Sequence, residues 1–175
     1  MSTVLVAYAT RYGSTQEVAA EVSAILRQSG LEVDVLPARQ VRSLDMYGAV
    51  VLGAPLYIGR WLKDAQRFLT RFQAALTSRP VAIFSLGPTR ISEEDVKGVL
   101  AQLDQVLQAY PWLSPVSSGL FGGRYDPAKL RFPDTLAAAL PMSPLYKAPA
   151  SDARDWEQIR AWARDLASKL QSCLS

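Results

Sequence analysis

Histidine is absent from this chain, and cysteine occurs once, as Cys173. Without histidine, the usual zinc and haem sites and the histidine-based triads lose their commonest ligand and base. One thiol cannot close an internal disulfide, and Cys173 falls near the end of the last predicted helix, where a small residue on a helix face needs no further role. No apolar run approaches the roughly 20 residues that a membrane-spanning helix requires. Met1-Ser2-Thr3 leads directly into a strand pattern, with no basic or cleavable apolar leader, so a cytoplasmic location is expected. A strong charge of either sign is also missing: 19 Lys plus Arg stand against 16 Asp plus Glu, a net charge of +3. The excess is spread along the chain, which argues against nucleic acid as a partner and leaves attraction to small anions or an anionic membrane surface open. With no metal set and few side-chain catalysts, any chemistry is expected to belong to a bound organic cofactor.

What the chain does contain is a steady alternation. Its 175 residues, 49% of them hydrophobic, suffice for one domain over 1–175 with a sizeable core. Strands are expected at 3–9, 31–36, 49–54, 80–86 and 116–122, from short β-rich apolar runs. Between them, Val18, Val22, Ile25 and Leu26 recur at helical spacing, as do Leu62, Ala65, Leu69, Phe72 and Leu76, and then Val96, Leu100, Leu103, Val106 and Leu107. A last helix is expected over about 152–173, with Ser151 or Asp152 as its N-cap. Five strands alternating with helices imply an α/β three-layer sandwich around a five-stranded parallel sheet. One stretch breaks the rhythm: residues 124–150 hold five of the eleven prolines and only a short helical possibility at 134–140.

In such a sheet, ligands bind beyond the carboxyl ends of the strands. The first turn, "TRYGST" (10–15), brings Thr10, Arg11, Tyr12, Gly13, Ser14 and Thr15 to the start of a helix, where free backbone N–H groups and the helix dipole favour an anion. It has neither the Gly-Lys-Ser/Thr of a nucleotide triphosphatase loop nor the GxGxxG of dinucleotide folds. A phosphate monoester held by neutral donors and an ordinary capped helix start are the two readings. Two further loops should converge on the same edge. "GAPLYIGRW" (53–61) offers Pro55, Leu56, Tyr57, Ile58 and Gly59, and "SLGPTR" (85–90) offers Ser85, Leu86, Gly87 and Pro88. Apolar side chains beside backbone donors suit a flat aromatic ligand, while Trp61 is expected to pack beneath the following helix.

With these three loops the chain resembles the flavodoxin-like, FMN-binding family, whose phosphate loop carries hydroxyl residues around a Thr-Gly or Ser-Gly step; here Tyr12 replaces the usual small hydroxyl. The resemblance implies FMN as cofactor, residues 10–15 around its phosphate, the loop at 55–59 over one flavin face and the loop at 85–90 at the pyrimidine end. "TRYGST", "GAPLYIGRW", "SGLFGGRYDPAKLRF" (118–132) and "DWEQIRAWARDLA" (155–167) are similar to one subfamily in particular, the menaquinone-dependent protoporphyrinogen oxidases of haem biosynthesis. That similarity implies an oxidoreductase that takes electrons from a porphyrinogen or another small reduced substrate and passes them to a quinone or a redox protein. The alternative is a flavodoxin-like electron-transfer protein with no organic substrate of its own. Arg11, Arg60, Arg90 and Arg124, all near predicted loop ends, are candidates to meet carboxylates. For 124–150, the open readings are a lid, a quinone contact, a foothold for peripheral contact with the inner face of a membrane, or apolar residues filling a groove on the protein itself.

Overall fold

The computed structural model describes residues 3–57, 59–87, 93–143 and 145–175, those of 93–96 by backbone alone. Ile58, Pro88 and Arg90, named above as candidates, lie outside the described residues. Strand β1 (Thr3–Tyr8) enters the centre of the molecule, and Val4 to Ala7 are fully buried. It is followed by α1 (Ser14–Gln28), β2 (Val33–Pro37), β3 (Tyr47–Tyr57), β4 (Arg60–Trp61), α2 (Lys63–Thr77), β5 (Val81–Leu86), α3 (Glu93–Gln108) and β6 (Ser117–Phe121). The chain continues through β7 (Arg124–Tyr125), α4 (Asp134–Ala139), β8 (Ser151–Asp152) and α5 (Trp156–Leu174).

The main sheet has the order β2-β1-β3-β5-β6, with every neighbouring pair in that path parallel. This is the five-stranded parallel sheet expected from the sequence. Its strand order reverses beside β1, which opens a crevice at the carboxyl ends of β1 and β3. Continuous apolar runs put side chains on both faces of the strands, so both faces must be covered. On one face Val4, Val6 and Phe84 pack with Val18, Val22 and Leu26 of α1 and with Ile159, Leu166 and Leu170 of α5. On the other, Leu5, Val50, Leu52 and Ile83 pack with Phe68, Leu69 and Leu76 of α2 and with Leu103 and Val106 of α3.

Two expectations change. Residues 53–61 are not a free loop: β3 runs on through Tyr57 and turns back as β4, pairing Leu56 with Trp61 and Tyr57 with Arg60. Gly59, at φ 69°, supplies the left-handed residue that this reversal requires. The last helix begins later than expected. Ser151 and Asp152 pair with Tyr125 and Arg124 in a small antiparallel ladder, and Asp155 caps α5 by accepting from the N–H groups of Glu157 and Gln158. Among the described residues, no helix is long and apolar enough to cross a membrane.

One close approach tests the packing. The Phe84 ring lies directly over Gly53, where a Cβ would come within 2.1 Å of Cζ. Phe84 is also hemmed in by Phe121 and Trp162, at centroid distances of 6.2 and 6.0 Å. Gly53→Ala should therefore lower stability by about 1–3 kcal/mol, read as a lower urea midpoint with an unchanged slope.

Candidate functional site

Tyr8 ends β1, and the N–H of Ala9 still donates to the Gly53 carbonyl (2.9 Å), so the turn departs from a fixed edge. The Thr10 hydroxyl oxygen accepts from the N–H of Gly13 at 2.9 Å, closing the turn while leaving its own proton free to donate. Gly13 takes φ 90° at the N-cap of α1, and no side chain caps the helix. The Glu17 N–H reaches the Gly13 carbonyl; the N–H groups of Ser14, Thr15 and Gln16 precede the first helical bonds and have no carbonyl of the helix to meet. Thr15 is fully buried, and its Oγ1 has no hydrogen-bond partner among the described residues. A buried hydroxyl with nothing to bond, at the bare positive end of a helix, fits an anion.

Two cavities flank this turn. One, of about 690 Å³, is lined by Thr10, Arg11, Tyr12 and Gly13 and by the cations Arg39, Lys129 and Arg131, with Asp64 as a single carboxylate. The other, of about 450 Å³, has Ser14 in its wall beside three tyrosines, Tyr12, Tyr57 and Tyr125, and two leucines, Leu130 and Leu145. Tyr12 lines both.

Residues 126–150 leave and rejoin the fold at the β7–β8 ladder. That ladder is fastened to α1: the buried Arg154 guanidinium donates to both oxygens of Asp152 (2.8 and 2.7 Å) and to Glu17 (2.6 Å), and lies 4.7 Å from the centroid of the Trp156 ring. Farther along, α4 reaches back to the turn at 10–15. Asp134 accepts the hydroxyl proton of Tyr12 and forms an ion pair with Arg11 at 3.0 Å. Burial, then this hydrogen bond, push the Tyr12 phenol above its ordinary value. Burial likewise raises Tyr57. The apolar side of the segment divides. Tyr125 and Leu145 line the cavity, whereas Phe132, Leu136, Leu140 and Met142 are exposed.

The other expected site residues are placed less openly. Tyr57 is 41% exposed at the cavity wall, while Leu56 packs against the core. Ser85 and Leu86 are core side chains, and the Ser85 hydroxyl accepts from the indole N–H of buried Trp61 at 2.9 Å. The Gly87 N–H is taken by the Phe121 carbonyl. Pro55 sits opposite Leu86 in the sheet ladder. Arg11 and Arg124 are ion-paired, Arg124 with Glu17 and Asp126, and Arg60 is exposed on β4.

The flavodoxin-domain family profile matches residues 5–152. The chain belongs to the flavodoxin-domain family. Its sequence is 25% identical over 172 residues to the protoporphyrinogen IX dehydrogenase [quinone] of Escherichia coli (strain K12), covering 93% of each chain. The same fold occurs in a short-chain flavodoxin associated with a non-canonical PDU bacterial microcompartment, with TM-score 0.64, 18% identity and all of both chains covered. It also occurs in oxidised Flavodoxin 1 from Bacillus cereus, with TM-score 0.54, 15% identity and 99% and 100% of the two chains covered.

Within this family fold, Asp134 and Arg39 line the cavities beside the turn, although the sequence reading did not single them out. Asp134 stands at the one short helical pattern of 124–150, which marks a helix start but not a partner 122 residues away at Tyr12. The Arg154 hydrogen bond holds the Asp152 carboxyl below the usual carboxylate range. A lowered folded pKa contributes stability above the unfolded value and loses it as pH falls through the lowered one. Arg154→Met should remove this part of the acid dependence and cost about 1–2 kcal/mol at neutral pH, discounted because Glu17 and Asp152 can rehydrate. Urea melts at a series of pH values would show both effects.

Proposed function

We propose that this protein binds FMN and oxidises a porphyrinogen or a closely related reduced substrate, with a quinone as electron acceptor. The observation that carries the cofactor assignment is the buried, unpartnered Thr15 hydroxyl at the uncapped start of α1. Thr10, Ser14 and Thr15 would hold the phosphate together with the N–H groups of the first helical turn. The three-tyrosine cavity suits a flat aromatic ring, with Tyr57 from the β3–β4 hairpin on one side and Tyr125 from the return segment on another. Bound FMN supplies the redox chemistry, accepting electrons from the substrate and releasing them to the acceptor.

The protein's own contribution is binding, orientation and charge. Arg39, Lys129 and Arg131 line the cavity beside the turn and present donors to carboxylates, for which arginine forms paired charge-assisted hydrogen bonds. The Asp134 contacts to Arg11 and Tyr12 hold the return segment against the turn and so enclose the site on that side. The choice of porphyrinogen and quinone is supported by the E. coli relative, whose name states that reaction and whose sequence aligns over 93% of this chain.

Two measurements test the reading. Thr15→Val removes the hydroxyl with little change in volume and should weaken FMN binding about tenfold or more, since a hydrogen bond to a charged group contributes roughly 1.5–3 kcal/mol; fluorescence titration of FMN would show it, and unchanged affinity would remove the assigned nest. Anaerobic mixing of FMN-loaded protein with protoporphyrinogen should bleach the flavin while porphyrin fluorescence grows in step. A flavin that stays oxidised would leave the electron-transfer reading in its place.

A further inference from the structure

A second charged feature lies outside the FMN site. The turn at Ala38–Gln40 packs against α2, and between them runs a groove of about 790 Å³ lined by Arg39, Lys63, Arg67 and Arg71 with Phe68 and Phe72. A second hollow of about 660 Å³ continues it past Arg42 and shares Arg39 and Arg71 with it. Lys63, Arg67 and Arg71 are four residues apart along one helix face, about 6 Å per step. Asp64 is the acidic residue in the lining.

These cations differ from those of α5. Arginines and a lysine on the opposite helices are matched with carboxylates: Arg160 with Glu21, Arg164 with Glu157, Lys169 with Asp165. Among the described residues, none of Arg39, Arg42, Lys63, Arg67 and Arg71 has a carboxylate within ion-pair distance. Four like charges in the groove, with Arg42 in the adjoining hollow and Asp64 as the one carboxylate of the lining, repel one another, and an incoming anion relieves that repulsion. Arg71 is also fixed in advance. Its guanidinium donates to the carbonyls of Val41 (3.3 Å) and Arg42 (3.1 Å), bridging the two walls, and lies 5.0 Å from the centroid of the Phe72 ring, the residue at which α2 departs from helical geometry. A guanidinium held in this way loses little freedom when it binds.

We propose that this groove is a second binding site, for a small anion carrying at least two phosphate or carboxylate groups. The volume is that of a small-molecule site. The spacing of the cations along α2 matches several separated charges better than one, and Phe72 offers an apolar surface between them. Arg39 and Asp64 are shared with the first cavity beside the turn, but Lys63, Arg67 and Arg71 line neither cavity there, so the assignment does not rest on Thr15 or on the FMN reading.

The test is isothermal titration calorimetry of the full chain at low salt, with tripolyphosphate and with citrate as probes. Binding of at least one probe is expected, weakened about tenfold or more in K63Q/R67Q and unchanged in T15V and in the distant surface pair R164Q/K169Q. Tighter binding of tripolyphosphate than of citrate identifies a polyphosphate ligand class, and the reverse order a polycarboxylate. Absence of binding by both probes overturns the proposal. So does weakening by T15V in place of K63Q/R67Q, which puts the probe in the nest, or equal weakening by both cation pairs, which reduces the effect to net charge.

Discussion

The start of α1 is the constraint around which the rest is arranged. A helix in a stable fold ordinarily has its first N–H groups capped and its buried hydroxyls bonded. Here the Thr10 oxygen is committed to Gly13, and among the described residues no side chain caps the helix and buried Thr15 Oγ1 has no partner. An unpaired buried hydroxyl costs roughly 1–3 kcal/mol, and the fold must sustain that cost elsewhere. It does so through β1 and α1, which enclose Val4, Val6, Val18 and Val22 in the core and fix both ends of the turn.

The segment after β6 is organised by the same helix. Glu17, one turn into α1, receives Arg154 and Arg124, and so ties both strands of the β7–β8 ladder to the helix that follows the 10–15 turn. Asp134 then closes the far end of the segment on Arg11 and Tyr12. Asp134 neutralises Arg11 and accepts from Tyr12, so an anion at this turn would be met by the backbone N–H groups and hydroxyls. Affinity there would rest on neutral donors, as expected for a nest at a helix terminus.

Fold alone does not separate an enzyme from an electron carrier, because the same sheet and crevice serve both. The distinction must come from what lies around the crevice. In this chain the surroundings are basic: Arg39, Lys129 and Arg131 stand beside the turn, and Arg42, Lys63, Arg67 and Arg71 continue the charge along α2. A net charge of +3 conceals a contrast: Arg160, Arg164 and Lys169 on the α1–α5 side are matched in ion pairs, and among the described residues these seven cations are not.

The sequence by itself determined the layers and the strand positions, because they follow from local periodicity: continuous apolar runs for strands covered on both faces, and helical spacing for Val18 to Leu26 or Ile159 to Leu170. It also determined the first turn, since Gly13 and the hydroxyls around it are contiguous. Trp61 was legible as a packing residue for the same reason. What only the tertiary structure decided was everything that depends on partners distant in the chain. The loss of Ser85 and Leu86 to the core, the Arg154–Glu17 fastening and the Asp134 contacts all arise from long-range pairing, and no local spacing encodes which charge will meet which. The basic groove belongs with them. Its arginines look like scattered surface residues in the sequence, and become a site only when the 38–42 turn is folded against α2.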